Sequence, residues 1–353
     1  MAGCIGLVCN GEIEITTSLQ EYLKNCASII GVDGGLNHCK KMEITPQWAV
    51  GDFDSIDPTL LEEIKMKKNV VVLPRAKDCT DLEVAIDKAK EISAQAQVII
   101  WGGLGGRIDH TLGNILLLFR DPARLFLQSE QQILFVVSNK IGEVEIRHPS
   151  HQTMTLLPLN GPVSSVSIKE GGQIIDIPVI DKSSPMIFTF KDQCTLTVGT
   201  GEVLVILEQK ASPPLSALPQ GEISMKFSLD QPLATVFEYL THQSFHFQGV
   251  RLSSAKERIS NIQHASGKVS FPSKRGQTVS LVPFYGPAKG IKTQGLKWEL
   301  GEATLDKLDK DFVGISNVSM GNEFSVAVES GELLCIVNEG LIDQELVEAK
   351  INK

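Results

Sequence analysis

A chain of 353 residues suggests two or three domains, and an apolar content of 42% is enough for buried cores. A formal net charge of −9 and a pI near 5.4 exclude the basic stripe of a nucleic-acid binder, and no apolar run is long enough to span a membrane. The seven cysteines are scattered with no C-x-x-C pair, which argues against a zinc site and suits a reducing cytoplasm.

Met1 to Cys9 is apolar but short and has no basic leader, so it reads as a first strand rather than a signal peptide. From residue 4 to 128, apolar runs at 4–9, 28–32, 48–50, 69–73, 97–101 and 124–127 alternate with helical patterns. Leu82, Ala85, Ile86 and Ala89 mark one helix over 81–92. Ile108, Leu112, Ile115, Leu116 and Phe119 mark another over 108–119. Such alternation predicts an α/β domain over 1–140, a mostly parallel Rossmann-like sheet with helices on both faces.

After about residue 130 the texture changes to β-branched runs and turns, as in Val163 to Ile168 and Cys194 to Val198. An internal repeat follows. Thr153 to Pro162 aligns with Thr278 to Pro287 at an offset of 125, shared by Gly142 and Gly267, and Gly201 to Ile206 aligns with Gly331 to Ile336 at an offset of 130. A five-residue insertion in the second copy accounts for the slip. Two all-β, sandwich-like modules are therefore expected within 141–210 and 267–340. They are joined by a linker at Ala211 to Pro219 and a segment to 266 in which Pro232 to Leu240 suggests a short helix. The rest of that segment suggests a copy of the strand that leads into the first module.

Acids and glycines follow the early apolar runs. They are Asp33-Gly34-Gly35, Gly51-Asp52-Phe53-Asp54-Ser55, Asp78-Cys79-Thr80-Asp81 and Gly102-Gly103-Leu104-Gly105-Gly106-Arg107-Ile108-Asp109-His110. The carboxyl ends of strands in an open α/β sheet are where ligands bind. If Asp52 and Asp54 sit in extended chain, both point the same way while Phe53 packs inward; a polar turn capping the next helix is an equal alternative. Asp78, Thr80 and Asp81 also fit ordinary helix capping, but a second acidic pair beside the first suits magnesium and a phosphate. The glycine turn before a helix favours an anion, Arg107 can fork onto phosphate, and Asp109 can equally serve the helix dipole. No Gly-Lys-Ser/Thr follows, so it is not a Walker loop. Trp298 has no aromatic counterpart in Gly171 to Ile177, which favours a stacking surface over a core residue. The histidines, His38 and His110 among them, show no metal spacing and read as surface or structural.

Together these motifs, with Gly295 to Leu300 and Ile315-Ser316-Asn317, resemble the thiamin pyrophosphokinase family over roughly 1–140 and 267–338. The resemblance implies transfer of pyrophosphate from ATP to the thiamin hydroxyl with Mg²⁺, giving thiamin diphosphate and AMP. It implies that Asp52, Asp54, Asp78 and Asp81 are metal and catalytic carboxylates. Asp33, Gly34, Gly35, Thr80, Gly102, Gly103, Gly106, Arg107 and Asp109 would contact nucleotide or phosphate, with Asp81 or Asp109 accepting the hydroxyl proton. Trp298, Ser316 and Asn317 would form the thiamin pocket. Its members are typically homodimers with one β module each, so the duplication here predicts either a homodimer or an intramolecular pseudo-dimer. Two other functions compatible with the residues are a pyrophosphokinase for another alcohol and a non-catalytic thiamin or nucleotide regulator.

Overall fold

The computed structural model describes residues 3–65, 69–75, 79–122, 124–147, 152–181, 186–191, 193–208, 251–253, 257–263, 267–306 and 315–342. The chain divides into two compact units, Met1–Pro158 with Pro162–Tyr239, and Leu240–Lys353 with the short segment Leu159–Gly161. It is a mixed α/β protein with one large sheet in the first unit and β-rich sheets towards its C-terminus. Among the described residues, no helix is long and apolar enough to cross a membrane.

In the first unit, β1 (Ile5–Val8), β2 (Ser28–Val32), β3 (Trp48–Gly51), β4 (Val70–Val72), β5 (Val98–Trp101) and β6 (Leu125–Gln128) pair in parallel in the order β6-β5-β1-β2-β3-β4. Strands β1, β2, β5 and β6 are buried at every residue, which is why they read as unbroken apolar runs and not as alternating ones. The helices are α1 (Thr17–Lys24), α2 (Gly35–Lys41), α3 (Pro58–Lys65), α4 (Asp81–Ile92) and α5 (Ile108–Leu117). Helix α4 spans the predicted range and buries the predicted stripe. It begins at a capping box in which Thr80 and Glu83 satisfy each other's backbone amides. Helix α5 also starts where the periodicity puts it and passes into a 3₁₀ turn over Leu118–Arg120. The chain leaves β1 for β2 on one side and returns to β5 on the other. The carboxyl ends of β1 and β5 therefore flank the point where strand order reverses, the usual crevice of such sheets.

The sheet does not end near residue 140. Strand β7 (Gln132–Ser138) runs antiparallel to β6, and the ten-stranded sheet continues through β14 (Glu202–Glu208), β9 (Gln152–Leu157) and β12 (Met186–Phe190). A second sheet, β11-β10-β13-β8, is built from β8 (Glu143–Arg147), β10 (Val163–Glu170), β11 (Gln173–Ile180) and β13 (Gln193–Thr200). One hydrophobic cluster holds Trp101 and Phe126 together with Phe135, Met154, Val166 and Leu196. The expected domain boundary is thus a change from parallel to antiparallel pairing inside one core, because β7 is buried along its whole length and needs a neighbour on each side.

The second unit contains β15 (Arg251–Ser253), β16 (Glu257–Gln263), β17 (Val269–Pro272), β18 (Gln277–Gln294), β19 (Gly301–Leu305), β20 (Ile315–Val318), β21 (Glu323–Ala327) and β22 (Ser330–Ile342). Their order is β15-β16-β22-β18-β21-β17, with β19 and β20 also on β18. The repeat is preserved in register. Leu157 faces Leu204 as Val282 faces Leu334, and Val137 faces Val203 as Ile262 faces Leu333. Leu127 faces Leu134 as Leu252 faces Ile259, so the duplication begins with β6 and β15, upstream of where side-chain similarity reveals it. Strand β16 is the expected copy of the strand leading into the first module. Pro232 to Leu240 lies outside the described residues.

Candidate active site

Two glycines let four loops meet in pairs at the carboxyl edge of the parallel strands. Gly102 has φ +68°, and a Cβ there would lie 2.5 Å from the Cys9 carbonyl oxygen. Gly51 has φ +155°, and a Cβ there would lie 3.0 Å from the Asp33 Cα. With no side chain at either position, the β5 loop closes on the β1 loop and the β3 loop on the β2 loop. Backbone bonds fix the first contact: Cys9 N–H donates to Trp101 O and Gly11 N–H to Gly102 O, both at 2.8 Å.

Asp33, Asp52 and Asp54 converge here, each offering a carboxylate oxygen within 4.8 Å of the others. The cause differs from the extended-chain expectation. Phe53 has φ +61° and is buried against Leu36, Ala49 and Ile56, so the segment turns about it, and the Asp54 amide donates to Asp52 Oδ1 at 3.3 Å. Asp33 is itself left-handed at φ +46°. Such backbone in a non-glycine residue is strained and clusters at functional sites. Its Oδ1 is buried with no hydrogen-bond partner among the described residues. Burial pushes the Asp33 carboxyl above the ordinary carboxylate range. The Gly34 amide opposes this, and the charges of Asp52, Asp81 and Asp54 add to it. Asp81 is thus within electrostatic reach of the trio. Asp54 also accepts from Ser55 Oγ at 2.7 Å and faces Arg75 at 3.4 Å. Asp78 lies outside the described residues. Thr80 is the N-cap of α4 and Gly34 the N-cap of α2, whose first residue is Gly35.

The glycine turn after β5 is held from α5. Asn114 Nδ2 donates to Gly103 O at 2.8 Å and Thr111 Oγ1 to Gly105 O at 3.2 Å. These bonds take up carbonyls of the turn. Gly105 and Gly106 are left-handed, and the space where a Gly106 Cβ would lie is open, a backbone cradle ahead of a helix N-terminus. Arg107 is not loose: its Nε and Nη2 donate to the two oxygens of buried Asp109 at 3.0 and 2.5 Å. Asp109 Oδ1 also accepts the His110 amide at 3.0 Å.

Several contributors escape a reading by motif. Asn10 and Gly11 follow β1 as Asp33 and Gly34 follow β2, and a Gly34 Cβ would lie 2.3 Å from the Asn10 side chain. The repeated pattern of a polar residue and glycine after a strand is the signal that would have found them. His38, read as structural, places Nε2 3.0 Å from the Gly11 carbonyl. Burial holds its pKa below the ordinary value, and the neutral ring donates through Nε2. Thr111, Asn114 and Arg75 carry no sequence signal.

In the second unit, Trp298 lies in the turn between β18 and β19. It is half-buried, outside the unit's hydrophobic cluster, with Lys297 Nζ 5.2 Å from the ring centre. Asn317 is fully buried, and its side chain clamps that turn. Nδ2 donates to Trp298 O at 2.7 Å, while Oδ1 accepts from Trp298 N at 3.2 Å and Val318 N at 2.8 Å. Ser316 beside it is exposed. The conserved register locates the equivalents in the first module: Asn317 faces Val279 as Phe188 faces Met154, and Ser316 corresponds to Ile187. Gln173 stands at the repeat position of Trp298.

Residues 19–127 match the family model for the thiamin pyrophosphokinase catalytic domain, and residues 266–334 match that for its vitamin B1 binding domain. Thiamine pyrophosphokinase of Bacillus subtilis is 39% identical over 118 residues, covering 33% of this chain and 54% of that protein. Thiamin pyrophosphokinase 1 of Caenorhabditis elegans is 29% identical over 147 residues, covering 39% of this chain and 56% of its own. The chain thus spans about half the length of these curated relatives. The crystal structure of the Bacillus subtilis enzyme aligns with a TM-score of 0.52 at 25% identity, covering 59% of this chain and all of its own. That of the Geobacillus thermodenitrificans enzyme aligns at 0.51 and 23%, a likeness of fold over 60% of this chain and all of its own. Matched in both its catalytic and its vitamin-binding segments, the chain belongs to the thiamin pyrophosphokinase family.

Proposed function

We propose that the protein transfers the terminal pyrophosphoryl group of ATP to the hydroxyl of thiamin, giving thiamin diphosphate and AMP. The observation that carries this reading is the meeting of Asp33, Asp52 and Asp54 beside a glycine cradle at the reversal of strand order. The strand order also supports the finer Rossmann-like reading, with helices on both faces of the parallel strands.

Magnesium fits the acid cluster on its own chemistry. The donors are all carboxylate oxygens, as a hard divalent ion requires. One of them, Asp33 Oδ1, is buried without a partner among the described residues and is repelled by its neighbours. Asp33, Asp52 and Asp54 would hold the ion, with the charge of Asp81 beside them. When bound, the ion neutralises phosphate charge and fixes the triphosphate.

The residues then position and screen. The Gly102–Gly106 turn presents backbone to phosphate oxygens, with Thr111 and Asn114 holding its carbonyls away. Asp109 holds Arg107 beside that turn through two hydrogen bonds, and the guanidinium's remaining donors would serve phosphate oxygens. Of the two acids considered for the hydroxyl proton, Asp81 fits better, because Asp109 has both oxygens engaged by Arg107. Trp298 provides a stacking face for thiamin, and Asn317 acts through Trp298 by fixing its turn.

We infer that the first module, 141–210, keeps a structural part only, since Gln173, Ile187 and Phe188 replace the polar and aromatic set. We read the enzyme's setting as the cytoplasm, a reading supported by seven scattered cysteines with no C-x-x-C pair. The decisive experiment incubates the protein with ATP, Mg²⁺ and thiamin and separates the products. Thiamin diphosphate with equimolar AMP is expected. ADP formation, AMP released only with another alcohol, or ligand-dependent melting without turnover would each displace the reading.

A further inference from the structure

Cys4 stands just before β1 and Cys26 in the turn between α1 and β2, at the amino ends of the strands and away from the acid cluster. Their Sγ atoms are 3.4 Å apart, and both side chains are half-buried. The backbone around them is fixed: Ala27 N–H donates to Cys4 O at 2.9 Å, and Ile5 is in register with Ser28. A disulfide needs sulfurs about 2.05 Å apart, so closure takes side-chain rotation of little more than an ångström.

We propose that Cys4 and Cys26 are an oxidative modification site, converted by hydroperoxides to an intramolecular disulfide that thiols reverse. Cys4 is the attacking sulfur. Its hydrogen bond with Cys26, and more weakly its interaction with Tyr22, outweighs burial and brings its pKa down to about 6, which makes it the more nucleophilic sulfur of the two. The Cys4 sulfur attacks a peroxide oxygen: an S–O bond forms, the O–O bond breaks, and the leaving oxygen departs as water or alcohol after taking a proton from solvent. The Cys26 sulfur then attacks the sulfenic sulfur. The S–S bond forms, the S–O bond breaks, and the hydroxyl leaves as water with the Cys26 proton. Each sulfur gives up one electron, and the peroxide receives both. A transient bond of this kind is compatible with a reducing compartment.

The test treats the full chain with a small excess of hydrogen peroxide, blocks remaining thiols and maps peptides by mass. The expected result is a Cys4–Cys26 linked peptide, a fall in blockable thiols from seven to five, and full reversal by dithiothreitol. Cys26→Ser should instead leave Cys4 as a sulfenic acid captured by dimedone, and Cys4→Ser should abolish both products. Cys79, an exposed thiol, is the internal control. Oxidation at Cys79 with no Cys4–Cys26 link, or dimedone capture at Cys26 rather than Cys4, would overturn the proposal.

Discussion

Asp33 joins the backbone to the chemistry of the site. It holds a left-handed conformation, it is half-buried, and that burial, with the charges of three other acids, raises its pKa. A raised carboxyl pKa favours the folded state at acid pH, where the group is neutral, and that contribution is lost as pH rises through the folded value. Asp33→Asn should therefore stabilise the metal-free protein at neutral pH, since asparagine also tolerates the left-handed region. The gain should fade on acidification, and magnesium should no longer raise the melting temperature. Thermal melts across pH, with and without magnesium, would show this, and an unchanged magnesium response would remove Asp33 from the metal set. Asp54 is more exposed, and the proposed function gives it a part in the reaction rather than in stability. Asp54→Asn should lower turnover by about 100-fold or more, the scale of losing one electrostatic contact in the transition state. ATP affinity should change little, as steady-state kinetics beside equilibrium binding would reveal.

Helix α4 opens with Asp81, whose charge acts on Asp33, and its first turn is anchored twice. Glu83 accepts the Thr80 amide with Oε2 and meets Arg120 through Oε1 at 2.8 Å, with both side chains largely buried. Removing the cap by Thr80→Ala should cost about 1 kcal/mol. Arg120→Ala strands the Glu83 charge and should cost about 3 kcal/mol or more. Urea denaturation would rank the two, and an equal cost would mean that Glu83 is served by the cap alone. The turn between β18 and β19 is built by the same logic. Asn317→Ala leaves the Trp298 backbone groups and the Val318 amide without their side-chain partner, and each such buried group costs about 1–3 kcal/mol.

Over the whole molecule, two copies of one β module have diverged at most side chains while keeping every cross-strand register compared. Trp298→Ala should weaken thiamin about tenfold or more, the equivalent of losing about 1.5 kcal/mol of ring contact. Gln173→Ala in the first copy should leave it unchanged. Calorimetric titration of both variants would decide which copy binds, and equal affinities would remove Trp298 from the pocket. The sequence by itself determined the six parallel strands and helices α4 and α5, because strands buried on both faces must be apolar throughout and α4 carries its own stripe and cap. It also determined the repeat, since glycines at left-handed turns such as Gly142 and Gly267 cannot drift. Only the tertiary structure decided that β7 extends the parallel sheet, that the duplication starts at β6 and that Asp33 joins Asp52 and Asp54. Those facts depend on strand pairing and on a left-handed turn at Phe53. Both are set by contacts between residues far apart along the chain, which local patterns do not encode.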